Sequence, residues 1–395
     1  VLLFALGATR VTRHLFSIPT PAVFLLGAAV AGQIVPSLRQ DLPILAVERI
    51  GVVALILILF DGGMEIGWRR AQASAAPIVT LGLVGTLATA AIIAVLGHWI
   101  FDLGWTSAWL LGAALAPTDP AVMFSVLGGR EIEGRSGTIL QGEAGFNDPV
   151  GIALTLGLVE LATSSGSSAG GIALDVLLQL AIGVAIGLAG GRLLVEIMRH
   201  ISLPGAGLYP LRTLAGAGII YGLTDLAHGS GFLAVFVAGM LVGDAEAPYR
   251  AEIGRFHSAL ASLAEITVFV ALGLTIQLSA LGEGNLWLDA LAIGALTALV
   301  ARPLVVAPLL VPARLRWGER TFIMWSGLKG AVPILLAAFA VTGGVSDGRR
   351  IYDIVFVVVA LSVVVQGTSI PLVARALGIP MRAAEPAPID APPSP

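Results

Sequence analysis

The sequence predicts an all-α, polytopic membrane protein with about 13 transmembrane helices. Three observations lead there. Of the 395 residues, 57% are hydrophobic and only 12% charged, with a mean hydropathy of +0.94, whereas soluble and disordered chains both carry far more charge. Apolar windows of about 20 residues, the length of helix that crosses a bilayer, recur from one end to the other. The 49 glycines point to helices packed backbone against backbone and to interrupted helices.

The same figures narrow the function. A formal net charge of -3 gives no reason to expect a nucleic-acid partner. There is no cysteine, so disulfide and thiolate chemistry are excluded, and the five histidines form no ligand-spaced cluster, so neither a structural metal nor a resident cofactor is expected. No pattern of a cleaved signal precedes the first apolar block. That block begins abruptly at Val1, which leaves room for upstream residues or a misread start codon.

Taken in order, apolar blocks fall near 1–17, 19–36, 44–64, 74–98, 105–127, 137–162, 172–195, 208–227, 230–243, 258–279, 286–309, 320–342 and 351–377. The first and ninth are short enough to be half-spans or tilted pieces. Basic residues follow the odd-numbered blocks: Arg10 and Arg13, Arg69 and Arg70, Arg130 and Arg135, Arg192 and Arg199, Arg250 and Arg255, then Arg314, Arg316 and Arg320. Even-numbered blocks are followed by base-poor connections around Asp102, Ser164–Ser168 and Glu283, with Arg39 and Arg49 balanced by Asp41 and Glu48. The positive-inside rule then places the N-terminus outside and the C-terminus in the cytoplasm. Residues 1–380 read as one transmembrane domain in the lipid bilayer. The Pro-rich stretch 381–395 reads as a short disordered cytoplasmic tail, or as the start of a linker to a soluble domain.

Two blocks are interrupted at mid-depth, one by Ala116-Pro117-Thr118-Asp119-Pro120 and one by Gly327-Leu328-Lys329-Gly330-Ala331-Val332-Pro333. Broken backbone is tolerated in hydrocarbon only where it lines protein or a wet cavity. Breaks in corresponding halves of a chain are the pattern of an inverted-repeat transporter, and they point to its site.

Carboxylates inside apolar spans are functional-site candidates by default. Asp119 stands between two prolines, beside an unwound turn whose carbonyls are free to face a cation; the competing reading is a helix cap at a membrane surface. In Glu143-Ala144-Gly145-Phe146-Asn147-Asp148-Pro149, Glu143 and Asn147 share a helical face and Asp148 is turned by one position. Buried carboxylates this close are stable only when a cation, a proton or a base joins them, because desolvation and like charge both disfavour the ionised form. Asp148 is therefore suited to exchange a proton for a metal cation, whereas Glu143 fits equally a polar network that fixes helix packing. Arg302 lies mid-span before Pro303 and needs a carboxylate partner, for which Glu143 is the first choice. Lys329 is a further counter-charge or a side chain snorkelling to the interface.

Other candidates are weaker. Asp61 and Glu65, one turn apart, form either the wall of an entrance funnel or surface caps near Arg69. Glu265 is a gate or a second proton site. Thr86, Thr89 and Ser125 offer hydroxyls to helix carbonyls or an ion, and Gln366-Gly367-Thr368 interrupts the last block. Asp225, His228 and Asp244 read as loop and cap groups.

These residues carry a resemblance. LILFDGG at 57–63, APTDPAVMFSVL at 116–127, EAGFNDPV at 143–150, FVAGMLVGD at 236–244, ARPL at 301–304, GLKGAVPI at 327–334 and VVVQGTS at 363–369 form an ordered set that resembles the monovalent cation:proton antiporter superfamily. Within it, the chain is similar to the sodium/hydrogen exchanger branch, NhaP type, which includes the bacterial cell-volume-regulation potassium/proton antiporters. The resemblance implies that Asp148 is the aspartate that binds cation and proton in turn, and that Asn147 marks electroneutral one-for-one exchange. It implies that Thr118 and Asp119 belong to a crossing discontinuous helix that helps form the site, and that Glu143 and Arg302 are a structural ion pair. It also implies an inverted-repeat antiporter fold in the bacterial inner membrane. The expected assembly is a homodimer, with a mobile core including about 74–162 and 258–342 beside a scaffold made of the remaining helices. Lys329 stands where the family usually has Arg, keeping the charge but not the bidentate fork. Volume-regulation members often carry a nucleotide-responsive domain after the last span, which these 395 residues do not contain, so that kind of regulation is not expected from them.

The expected function is thus antiport of Na+ or K+ against H+, serving pH homeostasis. Ion choice is not readable from sequence, since it depends on ligand geometry within fractions of an ångström. The alternative is a gated cation channel or a non-transporting sensor subunit. An intramembrane hydrolase would need an activated nucleophile that this arrangement does not supply.

Overall fold

A bilayer offers no water to backbone N–H and C=O groups, so apolar segments fold as helices that satisfy those groups internally. The computed structural model describes residues 19–127, 130–164 and 168–383. Its helices are α1 (Thr20–Ile34), α2 (Ile44–Ile66), α3 (Ala75–Phe101), α4 (Trp105–Leu115), α5 (Pro120–Val126), α6 (Arg135–Thr163) and α7 (Ala169–His200). They continue as α8 (Leu208–Leu226), α9 (Gly231–Gly243), α10 (Arg250–Thr275), α11 (Leu286–Leu309), α12 (Trp317–Trp325), α13 (Ala331–Thr342) and α14 (Gly348–Ala376). Short helical turns join several of them.

Each apolar block from 19–36 onward falls on one helix or on one broken pair, α4/α5 or α12/α13. The block at 1–17 lies outside the described residues. By length and composition, α3, α10, α11, α14 and Gly170–His200 within α7 are long and apolar enough to cross a membrane. Helix ends follow ordinary rules: Ser168 and Ser230 cap α7 and α9, accepting from Gly171 N–H at 3.1 Å and Leu233 N–H at 3.3 Å. Arg212 donates to carbonyls at the end of α7, to Ile197 O at 3.3 Å and to Ile201 O, just past the helix, at 2.7 Å.

The same order of elements occurs twice. A long helix, a broken pair and another long helix make up α3 to α6, and again α11 to α14. Both leading helices contain a π-helical stretch, Thr80–Gly85 in α3 and Thr297–Ala301 in α11, and α14 carries a third at Ser362–Gln366. Such local widening of the coil is often found at functional sites.

Lipid gives apolar helices no hydrophobic reason to associate, so close packing of small residues has to do it. Here α2 and α9 approach backbone to backbone: a Cβ at Gly239 would lie 2.3 Å from the Phe60 carbonyl oxygen, and one at Gly243 would lie 2.3 Å from that of Met64. Gly239→Leu is expected to cost at least about 1–3 kcal/mol of stability. Gly218→Leu, on the open face of α8 where a Cβ meets nothing within 4 Å, should be tolerated. Thermal melting of the two purified variants checks this.

The core was expected to include about 258–342; within that range α10 packs mainly on α1 and α2, while α14, beyond it, packs on α11 and α13. Helix neighbours are set by long-range packing that the order of blocks does not reveal. The fold is all-helical apart from one short strand pair, which takes in the first three residues of the stretch expected to be a disordered tail. Residues Arg130–Ile132 (β1) and Met381–Ala383 (β2) form an antiparallel pair, Ile132 opposite Met381, and Glu133 N–H donates to Pro380 O at 3.0 Å. The chain after α14 therefore leaves the helices beside the connection that leads into α6. Residues 384–395 lie outside the described residues.

Candidate functional site

Prolines make the first break. Pro120 has no N–H to offer the Ala116 carbonyl, so α4 ends at Leu115 and α5 starts afresh at Pro120. The orphaned carbonyls of Ala116 and Pro117 are taken by the Lys329 ammonium, at 3.2 and 3.0 Å. Lys329 comes from the second break, between α12 and α13, and the Asp119 N–H returns the contact by donating to Leu328 O at 2.8 Å. The two breaks thus meet and satisfy each other's backbone. Charge follows the helix dipoles. The Lys329 ammonium stands at the C-terminal end of α4, and the Asp119 carboxylate packs on Gly330 at the N-terminal end of α13, where a Cβ would lie 1.8 Å from Asp119 Oδ2. Lys329 is 3% exposed, which rules out snorkelling.

The long helix α6 passes behind the breaks. From it the Glu143 carboxylate takes both terminal nitrogens of Arg302, a forked pair buried between α6 and α11, with Nη2 to Oε2 at 3.0 Å. Arg302 Nη2 also donates to Ile323 O in α12 at 3.3 Å. One turn on, Asn147 Nδ2 donates to Thr118 Oγ1 at 2.9 Å, and the Thr118 N–H lies 3.4 Å from Asn147 Oδ1. This reciprocal pair ties the first break to α6. Asp148 follows, buried, and its Oδ1 has no hydrogen-bond partner among the described residues. Pro149 comes next in the helix and has no N–H for the Gly145 carbonyl one turn back, so α6 is weakened where the carboxylate projects.

Asp148 opens onto a cavity of about 1160 Å³. Asp61, Glu65, Asp119, Gly145 and Glu265 share its wall, and Arg70, Glu133 and Arg135 lie on its lining toward the short helix after α2 and the β1–α6 connection. Asp61 is buried and accepts from Ser258 Oγ at 3.1 Å; Glu265 is half-buried and Glu65 exposed. Away from the Arg70 end, α2 and α13 are held together: Leu335 packs on Gly51 and Thr342 Oγ1 donates to Glu48 at 2.5 Å.

The candidate residues therefore separate into two groups. Asp148, Asp119, Asp61, Glu65 and Glu265 line the large cavity, whereas Lys329 and Arg302 line a second, mainly apolar cavity of about 240 Å³. Glu143 binds Arg302, and Asn147 and Thr118 direct their polar groups at each other, so none of the three lines either cavity. Of the weaker hydroxyls, Thr86 and Ser125 serve their own helices, donating to Gly82 O and Val122 O. Asp244 caps the turn after α2, accepting from Arg69 N–H at 2.7 Å. Sequence reasoning missed Ser258 beside Asp61 and Ser362 beside Lys329. A lone serine in an apolar helix gives no signal until its neighbour is known.

A family model described as sodium/hydrogen exchanger, transmembrane, matches residues 1–376. The chain belongs to the sodium/hydrogen exchanger family. It is 37% identical over 328 residues to a K+/H+ antiporter, NhaP, of Alkalimonas amylolytica, covering 82% of this chain and 57% of that relative. This chain thus spans little more than half the length of that curated relative. A Na+/H+ antiporter, NhaP, of Pseudomonas aeruginosa is 28% identical over 411 residues, covering 93% of each chain. The fold matches that of the sodium proton antiporter MjNhaP1 from Methanocaldococcus jannaschii at pH 8, with a TM-score of 0.78 at 24% identity over 93% of this chain and 96% of that one. In this member of the sodium/hydrogen exchanger family, charged residues stand at both broken helices and along the helix that passes behind them.

Proposed function

We propose that this protein is a secondary antiporter that exchanges a monovalent cation, K+ or Na+, for a proton, with Asp148 carrying each in turn. One observation supports this above the others: a buried carboxylate oxygen without a hydrogen-bond partner among the described residues, at the wall of a large cavity, beside two broken helices. An anion so placed is destabilised until a proton or a cation reaches it, and one site serving both couples two gradients without a covalent step. The names of the related antiporters, which act on K+ or Na+, favour the same reading.

In this mechanism the breaks of α4/α5 and α12/α13 are crossing discontinuous helices of two inverted repeats. Asp119 adds negative charge near the cation's path, while Asn147 and Thr118 hold the first break in register with Asp148. Asn147 is an amide and carries no second proton, which favours one-for-one, electroneutral exchange. Glu143 with Arg302 is the structural pair. The cavity end near Arg70 and Arg135 is the cytoplasmic mouth by the positive-inside rule, with thirteen spans, the N-terminus outside and the C-terminus inside. Asp61, Glu65 and Glu265 form its acidic funnel. Alternating access then parts α2 from α13 at the other end, and the core made of α3–α6 and α11–α14 moves against a scaffold that includes α1, α2 and α7–α10. The exposed apolar faces of α7 and α8, with Leu177, Ile219 and Leu223, contact lipid and a second copy in a homodimer of the bacterial inner membrane.

Proton flux in everted membrane vesicles tests the proposal, with Na+, K+ and Li+ added separately over several pH values. Cation-dependent flux that is indifferent to a clamped potential is expected. Conductive current under the same clamp would instead indicate a channel.

A further inference from the structure

The second break has a support that the exchange chemistry does not use directly. Ser362 and Gln366, buried on the π-helical stretch of α14, both reach it. Ser362 Oγ accepts the Lys329 N–H at 2.9 Å and donates to Gln366 Oε1 at 2.6 Å. Gln366 Nε2 is directed at the carbonyl of Trp325, the last residue of α12, at 3.4 Å. The Trp325 indole N–H in turn donates to Ser369 Oγ at 2.9 Å, and the Ser369 hydroxyl donates to the Gln366 carbonyl at 2.6 Å.

A helix interrupted in an apolar interior leaves N–H and C=O groups that must be satisfied from outside. Through this pair, α14 addresses one such donor and one such acceptor, from the two sides of the break. The donor belongs to Lys329 itself, whose ammonium spans to the Ala116 and Pro117 carbonyls. A shift of the Lys329 backbone would carry its charge away from the first break.

We infer that Gln366, acting with Ser362, is a positioning residue for Lys329. The two hold the second break so that the ammonium stays on the first, which fixes the wall where Asp148 and Asp119 stand. The inference rests on the antiport reading.

The test uses the full chain in everted vesicles, with Na+ and K+ as probes. Gln366→Met and Ser362→Ala are expected to raise the apparent cation KM about tenfold, with the maximal rate per folded protein within about twofold. Ser362→Thr, which keeps the hydroxyl, should restore the wild-type value. Val365→Ala, on the same stretch but 57% exposed, should leave it unchanged. On a Lys329→Ala background, cation binding followed by thermal shift of the purified protein should show no further loss from Gln366→Met.

A merely structural role would lower folded yield and leave KM alone. Unchanged KM in folded Gln366→Met and Ser362→Ala would overturn the inference, as would a Gln366→Met effect undiminished without Lys329. If Gln366→Met does not fold, Ser362→Ala against Ser362→Thr decides. Absence of cation-dependent flux in the wild type would instead overturn the antiport reading.

Discussion

Asp148→Asn is expected to abolish cation-coupled proton flux while leaving a folded protein. The substitution removes one contact between unit charges, worth about 4 kcal/mol at a distance of about 4 Å and an effective dielectric constant near 20. Cation binding should weaken roughly a thousandfold, and the amide cannot carry the proton back. Stability should be nearly untouched, because Asp148 Oδ1 has no hydrogen-bond partner to lose among the described residues. Flux in vesicles normalised to folded protein is the measurement. Exchange near the wild-type rate would remove Asp148 from the mechanism.

Glu143 should behave in the opposite way, failing in stability first. Glu143→Leu leaves the Arg302 guanidinium buried with only the Ile323 carbonyl as an acceptor among the described residues, and breaking a buried pair from one side costs about 3–5 kcal/mol. Arg302→Met leaves the carboxylate stranded at similar cost. The double variant Glu143→Leu/Arg302→Met buries no charge and should melt closer to the wild type than either single change. A double variant whose loss equals the sum of the two would show that the groups act separately.

How much of this was legible follows from which interactions are local. Proline and glycine act on their own turn, so the breaks at Pro117 and Pro120 and at Gly327 to Pro333 could be read directly. The partnership of Glu143 with Arg302 was readable for a different reason: a buried guanidinium must find a carboxylate, and few were available. Lys329 left two readings open, because a mid-helix ammonium either snorkels or is claimed by carbonyls, and only the position of Ala116 and Pro117 decides. Ser258 on Asp61 bridges 197 residues and Ser362 on Lys329 bridges 33, and neither neighbour is implied by spacing. The grouping of α10 with α1 and α2, and the pairing of β2 with β1, were hidden likewise, since both depend on which segments meet in space.

The central claim is that one carboxylate serves proton and cation in turn, and competition tests it most directly. Apparent cation KM should be measured in everted vesicles across a series of pH values for whichever of Na+ and K+ is transported. With a single shared site, KM on the acid side should rise about tenfold for each unit fall in pH while the maximal rate at saturating cation holds. A cation KM that does not change with pH would contradict the shared site.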